Sequence, residues 1–298
     1  PPGSRAHPEG AIPYPPMPQI PPTAEISPEC ELADDVQIGP YCRLSGRVTL
    51  GPGVRLLGNN YICGPIRIGA GTVVYPFPCL GFEPQDYKFK PGMPTAGVVI
   101  GEECIIREYA TVHAASNDHT PTRLGDRVFM MVNSHVAHDC TIGNNVVFVN
   151  GAGIAGHGII GDNVTLGGNA VVHQFVRIGR LAMMSGDCAV SLDVPPFCTV
   201  NERNRIGSLN VVGLRRAGIP RDQITLLRVA FRELLRNPLP RAEVVAELRR
   251  RGENCPPLAE MADFIAASKR GITPGMGRRP RNAGRWLQSV HNGEPEAL

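Results

Sequence analysis

The sequence predicts a mainly β fold: a parallel β-solenoid of hexapeptide repeats followed by a small C-terminal α-helical domain. Three observations carry the expectation. An aliphatic side chain returns every sixth position, glycine commonly follows it, and helical spacing replaces the period of six after Pro195-Pro196. With Gly 34, Pro 29 and 5% aromatic residues, the composition suits a turn-dense β architecture.

The repeat begins at Ile26 and runs through Leu32, Ile38, Leu44, Leu50, Leu56, Ile62, Ile68, Val74 and Leu80. It breaks at a polar, Pro/Gly-marked stretch near 81–97, resumes at Ile100, Ile106 and Val112, and falters near 117–123. It then continues from Leu124 to Val190, with Met130, Val136 and Ile142 among its members. Four places after many of these aliphatics stands a small or β-branched residue such as Val36, Cys42, Val48, Ser134 or Cys140. A helix of 3.6 residues per turn cannot hold a period of six; short strands joined by tight turns can. Three hexads close one coil, so residues about 18 apart stack at the strand spacing of roughly 4.8 Å. His138, Gly156 and Gln174 then share a column.

The domain reading follows: an irregular, proline-rich extension over 1–22, a β-helix over 23–200 with two inserted loops, a helical domain over 201–271 and an irregular tail over 272–298. Within the helical part, Ile224, Leu227, Ala230, Phe231 and Leu234 predict a helix over 222–236, ended by Pro238-Leu239-Pro240. Two more are expected over 241–251 and 257–268.

At 298 residues, 42% hydrophobic and 19% charged, the chain can build a substantial core, which excludes a disordered protein. No apolar run approaches the roughly 18 residues of a membrane span, and no secretory h-region opens the chain. Nine cysteines without a CxxC pair argue against a disulfide scaffold and for a reducing, cytoplasmic setting, with several as small buried hydrophobes. The net charge of +3 is mild, but arginine dominates after Arg203, so an acidic partner should meet the C-terminal third. Nucleic acid is discounted because no stacking aromatics accompany those arginines.

The stretch Met130-Met131-Val132-Asn133-Ser134-His135-Val136-Ala137-His138-Asp139-Cys140 admits three chemistries. Satisfied core histidines are the plainest, but His135, His138, His157, His173 and Gln174 at successive levels would be expensive to bury together. A zinc set of His113, His135 and His138, as in a trimeric carbonic anhydrase, is opposed by His-x-x-His on a strand turning to opposite faces. A general base, His138, oriented by Asp139 fits best, with the Gly156 N–H as a donor to a developing oxyanion.

The runs His135-Val136-Ala137-His138-Asp139-Cys140, Ala155-Gly156-His157, Val172-His173-Gln174-Phe175, Asp193-Val194-Pro195-Pro196 and Gly213-Leu214-Arg215-Arg216-Ala217-Gly218 resemble the UDP-N-acetylglucosamine acyltransferases, hexapeptide-repeat enzymes that begin lipid A synthesis. The likeness covers roughly 20–271. It implies a left-handed parallel β-helix, a homotrimer with sites between subunits, and no metal or other cofactor. It also implies transfer of a β-hydroxyacyl group, held as a phosphopantetheine thioester on acyl carrier protein, to the glucosamine 3-hydroxyl of UDP-N-acetylglucosamine.

Residue by residue, the resemblance makes His138 the base, Asp139 its orienting carboxylate and Gly156 the oxyanion donor. His135, His157, His173 and Gln174 would line the cleft. Gln85, Asp86 and Lys88 would reach substrate from the first inserted loop, while Asn210 and Arg216 would take the uridine or phosphate side. Gly186 would set acyl length and, lacking a side chain, admit a longer chain. Departures fall at Glu202-Arg203-Asn204-Arg205, where Asn204 replaces the family's histidine, at Val212 and Ala217, and at His113-Ala114-Ala115-Ser116. The alternatives are N-acylation of a 3-amino-sugar nucleotide by the same mechanism, the zinc anhydrase, and an inactive solenoid scaffold.

Overall fold

The computed structural model describes residues 20–237 and 239–275. The expected extension 1–22 and tail 272–298 therefore lie largely outside the described residues. The chain divides into two compact units, Pro1–Asn145 and Val146–Leu298. The fold class is the expected one, a left-handed parallel β-helix of hexapeptide repeats followed by C-terminal helices.

In the first unit, strands of two to four residues stack in parallel on three faces. One face carries Glu25–Ile26, Arg43–Ser45, Tyr61–Cys63, Cys79–Phe82, Thr111–His113 and His135–Val136 in that order. The register shows how the coil is built. Glu25 pairs with Arg43, a step of 18 residues (43 − 25). Cys79 pairs with Thr111, a step of 32 (111 − 79), and Thr111 with His135, a step of 24 (135 − 111). Coils that gain 14 and 6 residues without losing registry must carry them as excursions, one between Phe82 and Val98 and one between His113 and Thr122.

The repeat aliphatics fill the interior. Ile38, Leu56, Ile68, Val74, Leu80, Ile106, Val112, Met130 and Val136 are fully buried, with Cys104, Ala110, Ser134 and Cys140 as their small partners. Alternation on the strand sends their neighbours outward: Thr111 and His135 stand side by side on the wall. Each coil must also turn three corners, and the residue three after many inward aliphatics takes the left-handed conformation. Asn133, Asp139 and Asn145 have φ of 59°, 58° and 55°. Asn and Asp tolerate this region better than other non-glycine residues, so an aspartate at 139 suits its corner independently of chemistry.

The second unit opens on parallel two-residue strands of the same hexad kind, with registers of 18 such as Gly153↔Val171 and Val171↔Ala189. It ends on a hairpin, Cys198–Glu202 against Arg205–Leu209, whose first strand pairs parallel with Met183–Met184. Among the described residues four α-helices follow: α1 (Val211–Arg216), α2 (Arg221–Ala230), α3 (Arg241–Gly252) and α4 (Pro256–Ala266). The expected helix 222–236 is α2 continued by a π-helical turn, Phe231–Leu235. Its inserted residue turns Ala230, Phe231, Leu234 and Leu235 all inward, a wider apolar stripe than a 3.6-residue period presents. The hairpin and α1 were not expected, because neither is long enough to show a period.

Two arginines fasten the helices. Arg180 holds Glu260 at 2.7 Å, and Arg177 stacks over Phe264 at 4.2 Å. Ile272 bridges Asp193 and Gly275 bridges Ile206, so the segment after α4 returns to the solenoid.

Candidate active site

His138 and Asp139 sit in the corner after strand His135–Val136. The left-handed turn at Asp139 folds its carboxylate back, and Oδ2 lies 2.7 Å from His138 Nδ1. Adjacent residues on a strand cannot meet in this way; a corner lets them. His138 is on the turn rather than the strand, so the strand-alternation argument about His-x-x-His does not apply to it. The corner, not the pleat, sets its direction.

Asp139 is held from several sides. Ser116 donates to it twice, from backbone N–H to Oδ1 at 3.0 Å and from Oγ to Oδ2 at 2.6 Å. Asn117 Nδ2 donates to Oδ1 at 2.7 Å. The Asp139 N–H in turn donates to Oγ1 of the fully buried Thr122 at 2.8 Å. A carboxylate among these donors is favoured in its ionised form and can only accept. It therefore takes the Nδ1–H of His138, and the ring's basic lone pair is placed on Nε2.

His135, on the outward face of its strand, bonds Thr111 Oγ1 through Nδ1 at 2.7 Å and meets the His113 ring edge-on, centroids 5.4 Å apart. Burial, with the neighbouring His113 and His138 adding to it, pushes its pKa down to about 4, so it is neutral near pH 7. His113 Nδ1 bonds the Glu83 carbonyl at 2.6 Å, which ties the root of the first insertion to the histidine row. In the zinc set considered above, each of the three histidines has Nδ1 engaged by a different local partner.

On the insertion itself, the Asp86 carboxylate accepts the Lys88 N–H at 2.9 Å and shapes the loop, while Gln85 and Lys88 are exposed.

In the second unit, Gly156 is buried and its carbonyl accepts the Phe175 N–H at 3.0 Å. His157 takes a corner with φ of 60° and stacks flat on Phe175, centroids 4.5 Å apart. His173 and Gln174 are exposed. Asn210 serves the fold locally, since its Oδ1 accepts the Gly213 N–H to cap α1 and its Nδ2 donates to the Leu181 carbonyl. Arg216 is exposed in the last turn of that helix. Asn204 has φ of 49° and ties Ser191 through both ends of its amide. Gly186 is exposed, and a Cβ built on it would make only ordinary contact, with the Gly168 carbonyl at 3.4 Å.

The sequence reading missed Ser116, Asn117, Thr122 and Thr111. Three of the four lie in or beside the second insertion, where the period lapses; the nearest signal was the altered His113-Ala114-Ala115-Ser116.

A hexad-built β-helix carrying a carboxylate-oriented histidine at a corner has the architecture of the hexapeptide-repeat transferases. Residues 121–156 match the bacterial transferase hexapeptide model, and 193–273 match domain 2 of the UDP-N-acetylglucosamine O-acyltransferase model. The acyl-[acyl-carrier-protein]–UDP-N-acetylglucosamine O-acyltransferase of Burkholderia orbicola is 42% identical over 262 residues, 86% of this chain and 99% of that one. That of Synechocystis is 40% identical over 71% of this chain and 78% of its own. The UDP-N-acetylglucosamine acyltransferase structure from Francisella novicida superposes with a TM-score of 0.81 at 31% identity, covering 88% of this chain and 95% of that chain. The chain belongs to the UDP-N-acetylglucosamine O-acyltransferase family.

Proposed function

We propose that this chain transfers a β-hydroxyacyl group from acyl carrier protein to the glucosamine 3-hydroxyl of UDP-N-acetylglucosamine, the first step of lipid A synthesis. The observation that carries the mechanism is the 2.7 Å contact between His138 Nδ1 and Asp139 Oδ2. With Nδ1–H given to the carboxylate, Nε2 removes the proton of the sugar hydroxyl as its oxygen attacks the thioester carbonyl. Asp139 stays ionised and stabilises the imidazolium that forms. When the tetrahedral adduct collapses, the C–S bond breaks and the imidazolium returns its proton to the leaving phosphopantetheine sulfur.

The remaining roles rest on the family resemblance. Gly156 supports the oxyanion reading because it has no side chain to obstruct its N–H. His135 lines the cleft in neutral form, and His157, His173 and Gln174 line it with exposed or half-exposed groups. Gln85, Asp86 and Lys88 take substrate from their loop. Arg216 takes a phosphate, which its fork fits, and Asn210 sets the start of the helix that presents it. The absence of a side chain at the exposed Gly186 favours a longer acyl chain. The reading needs no metal. It further takes the enzyme to be a cytoplasmic homotrimer whose arginine-rich helical domain meets the acidic carrier protein; no helix among the described residues is long and apolar enough to cross a membrane.

The test is turnover of β-hydroxyacyl carrier protein with UDP-N-acetylglucosamine by the wild type and His138→Ala. Product from the wild type and none from a folded variant is expected. Undiminished turnover by His138→Ala would remove the base assignment.

A further inference from the structure

The second insertion, between strands Thr111–His113 and Thr122–Leu124, bonds directly to the carboxylate beside the proposed base. Its Ser116 and Asn117 lie 23 and 22 residues from Asp139 in sequence, so only the extra residues of this coil bring them there.

The orientation of each donor is fixed. Asn117 Oδ1 accepts the backbone N–H groups of His119 at 3.1 Å and Thr120 at 2.7 Å. Those groups can only donate, so the amide nitrogen must be the end that faces Asp139. The Ser116 N–H is likewise an obligate donor. The loop is braced by the end of the first insertion: Ala96 N–H donates to the Asn117 carbonyl at 2.7 Å, and Thr95 Oγ1 to the Ala115 carbonyl at 2.5 Å. The Gly97 carbonyl accepts both Ala115 N–H and Thr122 N–H. Thr122, at the far end of the loop, then takes the Asp139 N–H on its hydroxyl.

We infer that Ser116 and Asn117 are positioning residues for catalysis, which keep Asp139 charged and aimed so that His138 holds its proton on Nδ1 and its basic lone pair on Nε2. The inference deepens the acyl-transfer reading and rests on His138 being the base in it. Ser116 Oγ and His138 Nδ1 share one oxygen, Oδ2. The serine therefore moderates how strongly the carboxylate stabilises imidazolium. Removing its hydroxyl concentrates charge on the histidine bond and releases one constraint on the carboxylate's direction.

The experiment measures kcat and KM against pH for the trimeric enzyme with β-hydroxyacyl carrier protein and UDP-N-acetylglucosamine. Ser116→Ala, Ser116→Thr, Asn117→Asp and His138→Ala are compared with wild type. Asn117→Asp is isosteric and keeps the acceptor that shapes the loop, but turns an acceptor toward Asp139. Ser116→Ala and Asn117→Asp are expected to lower kcat about ten- to a hundredfold, the scale of one hydrogen bond to a charged group. KM should stay within about twofold, and the acid limb of kcat/KM should move to higher pH. Ser116→Thr, which keeps the hydroxyl, should restore most of the rate.

A loop that only supports the fold would lower Tm and leave the profile unmoved. Profiles for Ser116→Ala and Asn117→Asp that superimpose on wild type, with His138→Ala inactive, overturn this inference alone. Activity in His138→Ala overturns the base assignment itself and is read before the others.

Discussion

Asp139→Asn is the sharpest perturbation because the structure dictates which way the new amide must point. The left-handed corner accepts asparagine, as Asn133 and Asn145 show at neighbouring corners, so the turn survives. Oδ1 faces two fixed donors, the Ser116 N–H and Asn117 Nδ2, and the new carbonyl oxygen must take that place. The new NH₂ then occupies the Oδ2 position, facing Ser116 Oγ and His138 Nδ1. The serine hydroxyl can rotate to accept, but the imidazole can accept only by moving its proton to Nε2. The ring stays in place and loses its base. General-base catalysis is worth about 10²–10⁴ in rate, so kcat should fall by that factor, about 3–5 kcal/mol of barrier at 1.36 kcal/mol per decade. Exchanging charge-assisted hydrogen bonds for neutral ones should also destabilise the fold by about 1–2 kcal/mol. The assay is the initial rate of acyl transfer across pH, with thermal unfolding in parallel. Turnover within tenfold of wild type in the folded variant would refute the tautomer argument.

Further consequences concern pH, packing and donor choice. His135 is held near 4 in the folded chain against an ordinary 6.5, so its share of stability is full above pH 6.5 and is lost as pH falls from 6.5 toward 4, where the unfolded chain binds the proton first. His135→Gln should therefore recover about 1–2 kcal/mol at pH 5 relative to its effect at pH 8, read by denaturant unfolding at both; equal effects at the two pH values would argue against it. Gly97 has φ of 73°, and a Cβ there would run into the Pro65 carbonyl. Gly97→Ala should cost more than about 2 kcal/mol and lower Tm, whereas a neutral substitution would contradict the close approach. Burial pushes the Cys104 thiol up to about 11 and raises that of Cys198 as well, so an aromatic disulfide reagent at pH 8 should leave both unmodified until the chain is denatured. Gly186→Met should fold normally, since a Cβ meets only ordinary contact there, and should shift preference toward shorter acyl donors; an unchanged donor profile would detach Gly186 from chain length.

What could be read from the sequence follows from how locally each feature is determined. A hexad's inward aliphatic is buried by its own coil and the two beside it, so Ile106, Met130 and Val136 announce themselves by period alone. The pairing of His138 with Asp139 was legible as an adjacency, though the corner that permits it depends on a φ of 58° that no pattern of side chains displays. Asn210 shows the opposite case. Its family match points to substrate, while its amide is engaged in capping α1 and holding Leu181, a use that depends on where the chain returns 29 residues later. The second insertion was visible only as a lapse in the period, a gap in the signal and not a signal of its own. Yet the residues in that gap surround the carboxylate on which the proposed base depends. Within a repeat, a side chain's surroundings are repeated along the chain and can be inferred from their recurrence. In an insertion they occur once, between residues more than twenty apart, so the coil's regularity supplies the scaffold and its interruptions supply the groups that tune the site.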